Sequence, residues 1–159
     1  MTKDGDMGRY DQFKERRVAQ GFEYVAASDA EAWVAILYAC MAADGDVSDV
    51  EIDKLSRMLV MKEKFAGLHI DIFFEKVVEA QAMIGSITLV EAAASKVELQ
   101  DRPTLFSMAV DMVLADGILD EDERLMISFI GDSLQIPNSQ AQQIIEVILI
   151  RNMGNKVIA

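Results

Sequence analysis

Apolar residues recur at helical spacing through most of the chain. Trp33, Ile36, Leu37, Cys40 and Met41 fall at i, i+3, i+4, i+7 and i+8, one stripe of a helix that stops at Asp44-Gly45. Ser28 or Asp29 opens it, because either side chain can accept from unpaired amides of the first turn. Before it, a short helix is expected over 11–20, ending at Gly21. After it, Ser48 and Glu51 have capping-box spacing and open a third helix, to about Val60. Ile70, Phe73, Phe74, Val77 and Val78 mark a fourth. Thr88 and Glu91 read as another capping box, opening a fifth, alanine-rich helix to about Leu99. Asp101 caps a sixth, with Pro103 tolerated in the first turn and a stripe of Leu105, Met108, Ala109, Met112 and Val113. Asp116-Gly117 ends it. Asp120 and Glu123 cap a seventh helix, to about Leu134, and Asn138 or Ser139 caps an eighth, with Ala141, Ile144, Ile145, Ile148 and Leu149 inward.

The pattern repeats. A shift of 72 carries the stripe 33, 36, 37, 40, 41 onto 105, 108, 109, 112, 113, and Asp44-Gly45 onto Asp116-Gly117. It also carries Val47, Ser48, Glu51, Leu55 and Met58 onto Leu119, Asp120, Glu123, Ile127 and Ile130. It fails at Ile52, which meets Arg124, and at Leu59, which meets Gly131. The fourth and eighth helices match with a shift of 71. The expected fold is all-α: a single-domain helical bundle of about seven to eight helices, in two pseudo-symmetric three-helix units over about 29–86 and 101–153. Neither unit covers its apolar face alone, so the two are expected to pack with approximate two-fold symmetry. The helical domain spans 25–153, after a polar segment with a short helix over 1–24 and before a tail at 154–159.

Charge and composition narrow the chemistry. The net charge of −12 disfavours nucleic acid, whose binding rests largely on Lys and Arg at phosphates. It also disfavours adsorption on anionic lipid. It is compatible with divalent cations or a basic protein partner, and it keeps a half-hydrophobic chain soluble. The one cysteine, Cys40, excludes an intrachain disulfide and lies on the apolar stripe, as an inert core residue would. The twelve-residue apolar run 32–43 is too short to cross a bilayer, and the N-terminus lacks the apolar core of a signal peptide, so the expected location is cytoplasmic. With His69 the only histidine, no His-rich zinc set can form, and no nucleophile elbow or phosphate loop occurs. The ten methionines sit mostly on helical stripes, where they fill core space.

The repeated turn, Ala-Asp-Gly, one residue, an aliphatic, Ser or Asp, two residues, then Glu, carries the remaining chemistry. One reading is structural. Glycine ends a helix, the aliphatic residue plugs the turn into the core, and the capping pair starts the next helix. Asp44 and Asp116 fall outside it, because each faces the negative end of a helix dipole. The other reading is a divalent-metal site. Asp44, Asp46, Asp49 and Glu51 cluster in sequence, as do Asp116, Asp120, Asp122 and Glu123, and hard cations take such oxygen ligands. The spacing is not that of an EF-hand, whose glycine stands sixth.

At these two turns the chain resembles the tellurite-resistance TerB family, whose domain also occurs at the N-terminus of membrane-anchored DnaJ-like co-chaperones. The resemblance rests on Ala42-Ala43-Asp44-Gly45-Asp46-Val47-Ser48-Asp49-Val50-Glu51 and Leu114-Ala115-Asp116-Gly117-Ile118-Leu119-Asp120-Glu121-Asp122-Glu123, and the surrounding helices extend it over about 25–153. It implies an all-α bundle with pseudo-two-fold symmetry in a cytoplasmic stress-response protein linked to tellurite resistance. It also implies acidic clusters that bind divalent metal, carried over to Asp44, Glu51, Asp116 and Glu123. There is no His-Pro-Asp motif, so a co-chaperone role is not supported.

Three functions follow as expectations. The first is a non-enzymatic binding or scaffold module holding a divalent cation (Ca, Mg, Mn or Zn) at Asp44, Asp46, Glu51, Asp116, Asp120 and Glu123. The second is a metal-free interaction module whose acidic surface engages a basic protein partner, a homodimer being compatible with either. The third, an enzyme, needs carboxylates converging in a pocket that the turns do not announce.

Overall fold

A computed structural model describes residues 22–43 and 45–156. The helix expected over 11–20, the end of the tail and Asp44 lie outside the described residues. Within them all regular structure is helical. There are six α-helices: α1 (Asp29–Ala42), α2 (Asp49–Val60), α3 (Ile70–Ala94), α4 (Arg102–Val113), α5 (Glu121–Ser133) and α6 (Asn138–Asn152). Two 3-10 turns, Glu63–Phe65 and Leu99–Asp101, complete the set. The chain divides between Lys96 and Val97 into two compact units, with α1–α3 in the first and α4–α6 in the second.

Six α-helices stand among the described residues, where the sequence pattern predicts seven without the segment 11–20, because two of the expected helices run on as one element, α3, with a break between them. The expected fifth helix is the part of α3 after that break, so it opens before Thr88 and ends at Ala94 rather than near Leu99. α3 runs to Ala94 and is broken at Gly85, whose φ of 79° and ψ of 171° leave the helical region. That backbone is open to glycine and strained for other residues. The break sets Ser86 so that its hydroxyl donates to the Ala39 carbonyl of α1 and accepts from Gln81 Nε2 (2.8 and 2.9 Å). Beyond Ala94 the chain turns, and 99–101 is a 3-10 turn rather than the end of an alanine-rich helix. By length and composition α3 could cross a bilayer, but most of its apolar window is buried, and the break at Gly85 interrupts its hydrogen-bond ladder.

α1 packs along α3 and is buried from Ala30 through Cys40, on every side rather than on one stripe. The run 32–43 holds no charged residue that could form a solvent face. Its first turn carries the exception. Glu31 is 2% exposed and is held by the Tyr24 hydroxyl and by Lys76 Nζ at 3.1 Å. This fixes the arm before α1, whose Ala26 is also buried. Burial first and Glu31 second push the Tyr24 hydroxyl far above its usual range. A second tie joins Lys64 to Asp29 and lays the ammonium 5.3 Å from the Trp33 ring centre, with Phe65 edge-on to the same indole.

In the second unit the buried face of α4 is Leu105, Phe106, Ala109 and Val110, so the expected stripe is rotated. Met108, Met112 and Val113 are only half-buried. Gly131 explains the rotation, because a Cβ there would stand 3.2 Å from Phe106 Cε1. Phe106 and Gly131 stand 72 residues after Val34 and Leu59. Bulk added at one position is removed at the other, and the register failure at Gly131 is the site where the ring fits. The caps differ as well. Asp101 makes no capping hydrogen bond to α4, and α6 starts at Asn138 behind Pro137 without a side-chain cap. The inward residues of α6, Ala141, Ile144, Ile145, Ile148 and Leu149, are half-buried.

Cys40 is buried, and burial pushes its thiol up to about 12 from 9.0. A raised folded pKa stabilises below the unfolded value and loses that contribution as pH rises from about 9 to about 12. Native protein at pH 8.5 will therefore resist a thiol reagent that labels it at once in guanidinium. Stability will also fall less steeply between pH 9 and 12 in Cys40→Ala than in the parent. Rapid native labelling would contradict this placement.

Candidate functional site: two acidic turns

Each turn is built from residues close in sequence. In the first, Gly45 N–H donates to the Ala42 carbonyl and Val47 is half-buried. Ser48 and Glu51 close a capping box: Ser48 Oγ accepts from Glu51 N–H at 3.1 Å, and Glu51 Oε1 accepts from Ser48 N–H at 2.9 Å. Asp46 is exposed, yet its charge reaches α1. The Tyr38 hydroxyl is raised above its usual range by burial first and by Asp46 second.

The second turn repeats the device. Asp120 Oδ1 accepts from Glu123 N–H at 2.8 Å and Glu123 Oε1 accepts from Asp120 N–H at 3.1 Å. Gly117 N–H donates to the Leu114 carbonyl, and Leu119 is half-buried. Asp116 is exposed, and its Oδ1 accepts from Ile118 N–H at 2.9 Å, two residues on. That local bond supplies a partner that offsets its unfavourable place at the carbonyl end of α4. Asp116 thus acquires a structural role that sequence spacing alone did not reveal.

Two further residues belong to this turn and were not expected. Asn152 Nδ2 donates to the Leu114 carbonyl at 3.0 Å and to Asp111 Oδ1 at 2.8 Å. Asn155 Nδ2 donates to the Ala115 carbonyl at 3.2 Å. They satisfy carbonyls that the end of α4 leaves without amide partners. Gly117 lies so close to the end of α6 that a Cβ would stand 2.6 Å from the Asn152 carbonyl oxygen. The only sequence signal was Asn152 as a buried polar residue closing an apolar helix. In the register of 71, Gln81 stands where Asn152 does. Gln81 serves the end of α1 through Ser86, as Asn152 serves the end of α4 directly.

Of the expected ligands, Asp120 is joined to Glu123, and Glu51 is joined to Ser48. Asp46 and Asp116 each stand at the exposed tip of a turn, and Asp44 lies outside the described residues. The donors are all carboxylate oxygens, with no imidazole or thiol in either turn. Chemically such edges can take hard cations or cationic side chains.

Comparison with known proteins assigns the family. The model of the family described as tellurite resistance protein TerB matches residues 30–146, most of the chain and both acidic turns. No curated protein and no solved structure matches it. With the match running from the first turn of α1 into α6, the chain belongs to the tellurite resistance TerB family.

Proposed function

We propose that this chain is a non-enzymatic binding and scaffold module of the cytoplasmic metal and tellurite stress response, and that its acidic turns hold a divalent cation. The observation that carries this reading is Asp116. Its carboxylate is exposed, oriented by Ile118 N–H, and placed where the dipole of α4 is negative, so a cation there is favoured by both charge and dipole. Asp120 and Glu123 follow it; in the first turn Asp44 and Glu51 correspond to Asp116 and Glu123, while Asp46 adds a carboxylate where the second turn has Ile118. This all-oxygen donor set fits Ca²⁺, Mg²⁺ or Mn²⁺ better than Zn²⁺. The bound ion would neutralise the turns and bridge them to anionic groups. The two units are taken as copies of one helix–turn–helix element, on the strength of the 72-residue register.

Calorimetry tests this with Ca²⁺, Mg²⁺, Mn²⁺ and Zn²⁺ on the full chain. Binding in the micromolar range is expected for at least one, weakened about tenfold or more in an Asp44→Asn, Asp116→Asn variant, about 1.4 kcal/mol per tenfold. The asparagine oxygen can still accept from Ile118 N–H, so the turn survives while the charge goes. Heat with none of the four ions rejects the reading.

One observation favours a second, metal-free reading. Glu51, Asp116, Asp120 and Glu123 each already accept a backbone amide, so the acidic turns are stable structures that present charge. A basic protein partner would then bind them in a salt-sensitive manner. Capture indifferent to salt counts against this reading.

A further inference from the structure

The second unit leaves four large apolar side chains in water at one end. Ile118 is 65% exposed, Val147 62%, Ile150 71% and Met153 73%. Isolated exposed apolar residues are ordinary, but these are grouped. Val147 and Ile150 are one turn apart on α6, and Met153 follows at its end. Gly117 packs on that end, its Cβ position 2.8 Å from Met153 Cα, which brings the neighbouring Ile118 beside Met153. α6 therefore has two apolar faces: the half-buried one turned to its own unit, and this one.

The charge around the strip identifies what fits it. Asp116 and Asp120 stand on the Ile118 side, and exposed Glu146 shares the face of Val147 and Ile150. Arg151 lies next to Ile150 but faces Asp111 at 3.9 Å, and Lys156 follows in the tail. Residues 116–123 carry five carboxylates before Arg124. An anionic bilayer would be repelled by this rim, and so would a second copy of a chain with net charge −12.

We propose that the strip Ile118, Val147, Ile150 and Met153 docks the apolar face of a basic amphipathic helix from a protein partner, whose Lys and Arg meet Asp116, Asp120 and Glu146. The proposal rests on the metal-free reading above and gives it an address and a partner geometry.

A fluorescein-labelled synthetic Leu/Lys amphipathic helix is the probe, with a permuted peptide of equal composition as control. Anisotropy is followed on the full chain at low and at about 0.3 M salt, beyond which surface attraction is strongly screened. The variant is Val147→Gln, Ile150→Gln, Met153→Gln, all exposed positions, with circular dichroism checking its fold. The proposal expects the amphipathic probe to bind better than the permuted one, more weakly in salt, and about tenfold or more weakly to the variant. Equal binding to parent and variant overturns the address while the acidic-surface reading stands. Equal binding of the permuted peptide removes the apolar face from recognition. Association with phosphatidylserine vesicles, or self-association, that the variant abolishes assigns a different occupant. Absence of any probe binding rejects both the proposal and the reading beneath it.

Discussion

Gly117→Ala will lower stability by about 2 kcal/mol more than Gly45→Ala. Both glycines have positive φ, 76° and 142°, so both substitutions carry a backbone cost, on the order of 1–3 kcal/mol. Only Gly117 adds a collision. Its Cβ would meet Asn152 O at 2.6 Å, Asn152 C at 2.8 Å and Met153 Cα at 2.8 Å, all backbone, which cannot rotate away. A Cβ at Gly45 would meet nothing within 4 Å. Relieving the clash requires the end of α6 to move, which breaks the bonds from Asn152 and Asn155 to Leu114 and Ala115. Overpacking of this kind typically costs about 1–3 kcal/mol. For a chain of this length the difference should appear as a melting temperature roughly 4–8 °C lower for the first variant than for the second. Equal melting temperatures would mean that α6 does not bear on the turn.

Lys76→Met will destabilise by about 2 kcal/mol, because it strands the Glu31 carboxylate. Breaking a fully buried pair costs about 3–5 kcal/mol, but the Lys76 side chain is 46% exposed and the loss is smaller accordingly. Glu31 would retain the Tyr24 hydroxyl and the favourable N-terminal end of α1. Glu31→Gln in the same background removes the stranded charge and should recover part of the loss. The informative quantity is the coupling in a double-mutant cycle by chemical denaturation, expected at about 1 kcal/mol or more. Additivity of the two substitutions would show that the lysine contributes through its methylenes alone.

These effects mark where sequence reading succeeds and where it stops. The capping boxes at Ser48–Glu51 and Asp120–Glu123 were legible because both partners lie three residues apart and need no knowledge of the rest of the chain. The same local logic set the bounds of the fifth helix too late, at Thr88 and near Leu99 rather than just after Gly85 and at Ala94. Thr88 and Glu91 have the right spacing, but Gly85 had already broken the backbone, and Ser86 is held by Ala39, 47 residues away. The stripe on α1 named four buried residues, with Met41 only half-buried, but missed that the opposite face is buried too, since only α3 and its neighbours decide what covers a helix. Phe106 over Gly131 and Asn152 under Leu114 are tertiary fits of the same sort. For the candidate site, spacing identified the turns, and the bond from Ile118 to Asp116 supplied what spacing could not. The expected metal ligands follow from chemistry and resemblance, and calorimetry is their test.

The burial of α1 on all sides has a consequence for how the chain is made. The helix ends at Ala42, and the helix that covers it, α3, is complete only at Ala94. At roughly 5–20 residues per second of synthesis, the most apolar segment of the protein waits on the order of 3–10 seconds for its cover. During that interval no solvent face of its own protects it. Substitutions that lower the acidity of neighbouring segments should therefore reduce soluble yield more than they reduce the stability of the finished fold.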